Sequence, residues 1–323
     1  MSDLRGGIDL GGTKIQTVVV DSGGAVRGEA RRPTPHEGGP ADVARALEDA
    51  LREAASAAGV EPAELAGVGV GSPGDVDGRT GVVSGARNLP GWDGSFPLGE
   101  TLAKALDAEV RVGNDVQVAV EGEYRLGGGR RHSSLLGVWW GTGVGGGIIL
   151  DGKPWLGRGA AGEIGHVVVK RGGARCPCGR RGCMEAYAGR AAMELKARRD
   201  LAKGVHTDLF EIMEKRGKDR LTSSVWAHAL REGDPLAESL IRRAIRYLGT
   251  GVASVVNVLD VEAVVLGGGL GERLGATYLD DLREEMHKHL FVDDNPPHLQ
   301  IAELGDLGGA IGASLLLGPD EAE

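Results

Sequence analysis

Gly6-Gly7-Ile8-Asp9-Leu10-Gly11-Gly12-Thr13-Lys14 reads as an apolar strand that stops in a glycine turn. Residues 15–20 follow as a second strand, Asp21-Ser22-Gly23-Gly24 as a second turn, and residues 25–31 as a third strand that ends at Pro33. Apolar runs bounded by Gly and Asp clusters are the hairpin signal, so residues 6–32 are expected to form a three-strand meander. The second half of the chain opens in the same way. Residues 135–140 form a strand, Gly141-Thr142-Gly143-Val144-Gly145-Gly146-Gly147 a glycine-rich turn, and residues 148–150 a second strand. Two Gly-Thr turns, each closing a strand pair, predict two β-rich lobes facing one another across a cleft. Backbone N–H groups in such turns suit the phosphates of a nucleotide, and Thr13 adds a hydroxyl.

The rest of the chain alternates helix and strand. Val43, Leu47, Ala50, Leu51, Ala54 and Ala58 recur at helical spacing over residues 41–58. Residues 65–71 read as a buried strand leading into Ser72-Pro73-Gly74. Residues 98–107 read as a short helix, and 109–112 as a strand running into Gly113-Asn114-Asp115. Residues 184–257 are largely helical, with polar breaks near 203–207, 216–220 and 232–234. A strand over 261–266 ends in Gly267-Gly268-Gly269, a helix covers 277–290, a strand 298–303, and a glycine-rich helix 305–317. The polar stretch 203–222 reads as a surface excursion or part of a subunit interface. The prediction is an α/β protein with a hinge near 113–118. Its small N-terminal domain is residues 1–116, joined by the last helix (about 305–318), and its larger domain is residues 117–304.

At 323 residues the chain can hold two domains. Lys+Arg is 37 and Asp+Glu 46, giving a net charge of −9, and no basic stretch exceeds Gly129-Arg130-Arg131-His132. That charge argues against a nucleic-acid partner. No apolar run is long enough to span a bilayer and no signal region opens the sequence, so a cytoplasmic protein with no membrane partner is expected. Glycine numbers 56 and aromatics only 4%, which suits parallel strands with a Val, Leu, Ile and Ala core and glycines placed in ligand-approaching loops.

The side chains that carry chemistry are few. All three cysteines lie in Cys176-Pro177-Cys178-Gly179-Arg180-Arg181-Gly182-Cys183, ten residues after His166. Three thiols and an imidazole match a closed, tetrahedral structural zinc site. An odd cysteine count argues against disulfides. Glu163 and Glu185 flank this cluster, and a metal clamped there would fix both carboxylates in space, ready to grip the hydroxyls of a small polar ligand. Asp9, at a strand end, could hold magnesium directly or through water. Asp115, after a buried strand, could accept a proton from a substrate hydroxyl; on local grounds alone it could equally cap the next helix. Asn88 could bond a sugar hydroxyl or simply form a turn. Trp92, Trp139 and Trp140 read as packing residues. His36, His132, His206, His228, His287, His289 and His298 read as surface or structural, without clustered partners. The chain lacks the P-loop pattern. Gly141, Gly143 and Gly146 have dinucleotide spacing, but a strand follows them rather than a helix, which rejects hydride transfer.

The ordered set Asp9–Lys14, Gly113–Asp115, Gly141–Gly147, Glu163-Ile164-Gly165-His166 and Cys176 through Cys183-Met184-Glu185 resembles the ROK family (repressors, open reading frames, kinases), closest to its bacterial glucokinases. The resemblance runs from residue 6 to about 317. It implies an actin-like, hexokinase-type ATPase fold of two lobes with ribonuclease-H-like topology and a central cleft. It implies that Asp115 is the catalytic base. Asn88, Asn114, Glu163, His166 and Glu185 would contact sugar hydroxyls, with His166 also a zinc ligand beside Cys176, Cys178 and Cys183. Gly11, Gly12, Thr13, Lys14, Gly141, Thr142 and Gly143 would hold the phosphates of ATP·Mg²⁺, and Gly267, Gly268 and Gly269 would lie near adenosine. The expected activity is transfer of the ATP γ-phosphate to the 6-hydroxyl of glucose. N-acetylmannosamine, N-acetylglucosamine or fructose are alternative substrates, and polyphosphate an alternative donor. The family is commonly dimeric, so a homodimer or dimer of dimers is expected. The rival class is a sugar-sensing regulator, but the glycine motif begins at Asp9, which leaves no room for a DNA-binding segment before it. The Gly305–Ala313 stretch is richer in glycine than the family pattern, which unsettles the adenine-side contact.

Overall fold

A computed structural model describes residues 3–86 and 88–318. The chain divides into two compact units. One holds the chain as far as Arg130, with Leu156–Ala160 and the stretch from Glu303 onward; the other holds Arg131–Trp155 and Ala161–Ala302.

The first unit opens with β1 (Arg5–Leu10), β2 (Lys14–Val20) and β3 (Val26–Pro33), then α1 (Pro40–Ala57) and β4 (Val68–Ser72). Three short strands follow, β5 (Asp75–Asp77), β6 (Val82–Ser84) and β7 (Ser95–Phe96), then α2 (Leu98–Leu106), β8 (Val110–Asn114) and α3 (Asp115–Leu126). The main sheet has the order β3-β2-β1-β4-β8. Its first three strands pair antiparallel, and β1-β4 and β4-β8 pair parallel. Strand alternation sorts the two faces. Ile8 and Leu10 join the core with Leu47 and Leu51 of α1, while Gly7 and Gly69, paired across β1 and β4, face the other way.

The second unit begins with β9 (Leu135–Trp140), β10 (Val144–Leu150) and β11 (Lys153–Pro154). Helices α4 (Glu185–Ala188), α5 (Arg190–Leu201), α6 (Leu209–Lys215), α7 (Ser223–Arg231) and α8 (Pro235–Leu259) follow, then β12 (Ala263–Gly267), α9 (Gly268–His287) and β13 (His298–Ile301). Its sheet has the order β11-β10-β9-β12-β13, with the same antiparallel and parallel pattern as the first. The internal likeness read from the two Gly-Thr turns therefore extends to the whole topology. Trp140, Leu248, Val252, Val264 and Leu270 are among the residues that fill this unit's core.

The chain then returns to the first unit as α10 (Gly308–Ser314). The glycines here have a packing cause. Cβ atoms on Gly7 and Gly69 would run into the Ala310 and Ala313 carbonyls, and one on Gly312 would run into the Val118 carbonyl of α3. The helix lies backbone to backbone on a glycine floor, and only glycine permits that approach.

Four expectations change. The small sheet β5-β6-β7 lies in a region to which the sequence assigns no element. Gly145–Gly147 belong to β10 rather than to the turn, which is residues 141–143 alone. Helix α9 starts at Gly268, nine residues before the expected 277. The polar stretch 203–222 is in part exposed, but it does not lie wholly on the surface. Thr207 Oγ1 and the Asp208 amide donate to the buried Asp234 carboxylate at 2.7 and 2.6 Å, and Leu209, Ile212, Met213 and Leu221 join the unit's core. No helix among the described residues is long and apolar enough to cross a membrane.

Candidate active site

In the first unit the Gly11–Thr13 turn is shaped from outside. The Gly11 amide donates to the Lys14 carbonyl at 3.0 Å, and the Thr34 amide donates to the Thr13 carbonyl at 3.3 Å. The Thr34 hydroxyl donates to the Gly11 carbonyl at 2.6 Å. With its carbonyls held, the turn offers the Gly12 and Thr13 amides, the arrangement an anion requires. Asn88 lies against this turn: a Cβ on Gly12 would come 3.2 Å from Asn88 Nδ2. Lys14 Nζ is 2.7 Å from Asp306, which also meets Arg31 at 3.6 Å. Asp9 stands at the end of β1 with its carboxyl against α10, where a Cβ on Gly309 would come 2.8 Å from Asp9 Cγ.

Where β8 passes into α3, the helix cap is Asn114. Its Oδ1 accepts the Val116 and Gln117 amides, both at 3.1 Å. The capping role open to Asp115 on sequence grounds therefore falls to its neighbour. Asp115 is the first helical residue, half-buried, with Oδ1 2.9 Å from the Val116 amide. Asn114 keeps its amide NH₂ to offer a ligand.

The second unit repeats the turn. The Gly141 amide donates to the Gly143 carbonyl at 3.0 Å, and the carbonyls of Gly141 and Thr142 accept the amides of Arg190 and Ala191 at 3.1 and 3.0 Å. The first residues of α5 thus do here what Thr34 does in the first unit. Glu185 Oε2 accepts the Val144 amide at 3.0 Å, and the same carboxylate fills the space a Cβ on Gly143 would need.

The cysteine cluster closes as expected. The ligand atoms of His166, Cys176, Cys178 and Cys183 all lie within 4.8 Å of one another. Cys176 Sγ is 3.7 Å from His166 Nδ1, and Cys178 Sγ 3.8 Å from Cys183 Sγ. A tetrahedral zinc with bonds of about 2.3 Å to sulfur sets sulfurs about 3.8 Å apart, so the residues fit that ion. Gly179 and Gly182 both have φ of 89°, a left-handed backbone that lets the loop fold back on itself. Burial pushes the Cys176 and Cys183 thiols up. Burial also works on Cys178, but the Arg180 amide and the two neighbouring thiols outweigh it and its pKa falls. The other ring nitrogen of His166, Nε2, is 3.7 Å from Glu163 Oε2, and Cys176 Sγ is 3.7 Å from Glu185 Oε1. The three hydroxyl-binding candidates of this unit are thereby brought to one place by the cluster.

Gly267, Gly268 and Gly269 form the β12–α9 junction, and each is crowded. Cβ atoms there would come 2.9 Å from the Trp139 ring, 2.9 Å from the Trp140 carbonyl and 3.0 Å from Ser223 Oγ. Trp92 and Trp140 are buried packing residues whose indole N–H groups donate to Val83 and Ala188 carbonyls at 3.2 and 2.8 Å. Two histidines do cluster, contrary to expectation: the rings of His132 and His298 stack with centroids 5.6 Å apart. Sequence reasoning missed Thr34 and Arg190, whose partners lie far along the chain and leave no local signal.

The chain matches the ROK family over residues 5–319 and belongs to that family. Its fold is the actin-like, hexokinase-type ATPase fold, built from two ribonuclease-H-like units. It is 34% identical to the glucokinase of Thermotoga maritima over 87% of this chain and 86% of that one. It resembles a ROK hexokinase structure from Thermus thermophilus at 35% identity, covering 97% of both chains with a TM-score of 0.77. It also resembles a ROK family glucokinase structure from Streptomyces griseus in complex with glucose and AMPPNP, at 33% identity, covering 97% of this chain and 98% of that one, with a TM-score of 0.82.

Proposed function

We propose that this chain is an ATP-dependent hexokinase-type phosphotransferase that converts glucose to glucose 6-phosphate. The observation that carries the reading is the bond path from the cysteine cluster through Glu185 to Val144. It fixes a carboxylate suited to sugar hydroxyls directly beside a turn suited to phosphate. The relatives' glucokinase names and the glucose and AMPPNP complex of one of them support the same substrates.

Asp115 takes the proton of the 6-hydroxyl as that oxygen bonds to the γ-phosphorus and the bond to the ADP oxygen breaks. Phosphoryl transfer asks for positioning and charge neutralisation more than covalent catalysis. Glu163, His166, Glu185, Asn88 and Asn114 hold the sugar hydroxyls. The Gly11–Lys14 and Gly141–Gly143 turns hold the phosphates, with N–H groups aimed at charge spread over the equatorial oxygens. Gly267–Gly269 lie on the adenosine side. Asp9 serves the magnesium that accompanies ATP. The Cys176, Cys178, Cys183 and His166 set would hold a structural zinc, which would fix the imidazole tautomer and leave the second ring nitrogen to face the sugar. A homodimer in the cytoplasm suits an enzyme with reduced thiols and an ATP requirement, and dimers are the commonest homo-oligomers.

The test is ADP release with ATP·Mg²⁺ against glucose, mannose, fructose, N-acetylglucosamine and N-acetylmannosamine. Glucose is expected to give the highest kcat/KM. Absence of turnover with every sugar, in protein that stays folded, would overturn the reading.

A further inference from the structure

Arg190 is the first residue of α5, and it is only 9% exposed. One terminal nitrogen donates to the Leu221 carbonyl at 2.8 Å and the other to Thr142 Oγ1 at 2.6 Å. Its Nε–H has no partner. A buried guanidinium normally sits against a carboxylate, because an unpaired buried charge is costly. Here none serves fully. Glu194, nearest in effect, already meets Arg198 at 2.6 Å and accepts the Leu221 amide at 2.9 Å. Asp219 is 85% exposed and 3.9 Å from Arg220. Burial lowers the Arg190 pKa, the like charge of Arg220 lowers it further, and the Glu194 carboxylate offsets them only in part. Thr142, Arg190, Glu194 and Arg220 line a depression of about 400 Å³.

Guanidinium can only donate. Thr142 Oγ1 is therefore the acceptor in its bond to Arg190, and its own proton is left to donate outward from an exposed residue. The Arg190 and Ala191 amides hold the Gly141 and Thr142 carbonyls at the same time. Arg190 thus sets one carbonyl, the hydroxyl direction and the charge of this turn, and Ala191 sets the second carbonyl.

Resting on the proposed kinase reading, we propose that Arg190 is a positioning residue for the phosphoryl donor. It aims the Thr142 hydroxyl and the Thr142 and Gly143 amides at a donor phosphate, and the bound polyanion supplies the counter-charge that Glu194, shared with Arg198, gives the buried guanidinium only in part. Arginine suits this task better than lysine, because its planar fork bonds Thr142 and Leu221 together.

The experiment measures kcat, KM for ATP, KM for glucose and melting temperature in Arg190→Met, Arg190→Lys, Thr142→Val and the Thr142→Val/Arg190→Met double variant. Loss of one charge-assisted bond predicts a fall in kcat/KM for ATP of about 10- to 100-fold in Arg190→Met. Glucose KM should stay within about twofold, since a defect confined to donor positioning spares uniform sugar binding. The double variant should be no worse than the worse single one, as expected for residues acting as a unit. Should Arg190→Met fail to fold, Arg190→Lys carries the test with a smaller ATP-specific loss. The proposal is overturned if folded Arg190 variants keep the wild-type ATP kinetics, if the KM values of both substrates rise alike, or if the Thr142 and Arg190 effects multiply. A silent Thr142→Val would overturn both this proposal and the assignment of the turn to the donor. A wild-type protein without hexose kinase activity would remove the kinase reading itself.

Discussion

Glu185 and Val144 are joined by a hydrogen bond of 3.0 Å between the Glu185 carboxylate and the Val144 amide. The bond ties the residue two beyond Cys183 to the residue that leaves the Gly141–Gly143 turn. The carboxylate proposed to meet the sugar and the turn proposed to meet phosphate are thus linked through one backbone amide.

Glu185→Gln keeps an acceptor for the Val144 amide but loses the negative charge. Hydrogen bonds to a charged group contribute about 1.5–3 kcal/mol, so kcat/KM for glucose should fall by at least about tenfold. Steady-state kinetics with each substrate varied in turn measures this. An unchanged value would remove Glu185 from sugar binding.

Asp115→Asn leaves the α3 cap intact, because Asn114 accepts the Val116 and Gln117 amides. Glucose binding by calorimetry and melting temperature should be nearly unchanged. Turnover should fall by about 100- to 10,000-fold, the range for loss of a general base. Retained turnover would exclude Asp115 as the base.

Metal analysis of purified protein should find zinc, with about one ion per chain as the four-ligand set requires. Cys183→Ser removes a fully buried ligand. It should lose the zinc, lower the melting temperature and raise glucose KM, because His166 and Glu185 contact the same cluster. A zinc-free wild-type protein that is folded and fully active would contradict the assignment.

Gly312→Ala should destabilise the first unit by about 1–3 kcal/mol or more, as overpacking of a tight contact does. The new methyl would strike the Val118 carbonyl, and Gly122 also packs closely here, since its own Cβ would be 2.9 Å from Gly312 Cα. Denaturant unfolding gives the value; a neutral substitution would show that α10 can lift away from α3.

Much of the fold was legible because its signals are local. The β1–β2 hairpin shows apolar runs on both sides of a Gly-Gly turn, and α1 shows helical spacing through Leu47, Ala50, Leu51 and Ala54. The small sheet was not legible, since strands of two or three residues are too short to show a period. The start of α9 was hidden because Gly268 and Gly269 look like loop residues, whereas Trp140 and Ser223 leave no space for side chains there. In the candidate site, the cysteine cluster announced itself by spacing. Asp115 and Asn114 were separable only by seeing which carboxamide or carboxylate meets the Gln117 amide. Thr34 and Arg190 act on partners 23 and 48 residues away, a distance over which sequence carries no pattern.

The glycine floor under α10 also sets an order of events during synthesis. Gly7 and Gly69 emerge from the ribosome early, but Ala310 and Ala313, which cover them, are made after the whole second unit. Until then β1 and β4 lack the helix that covers one of their faces. The unit that is translated first is thus the one finished last, and chaperones or proteases that act on nascent chains meet it with its sheet half open.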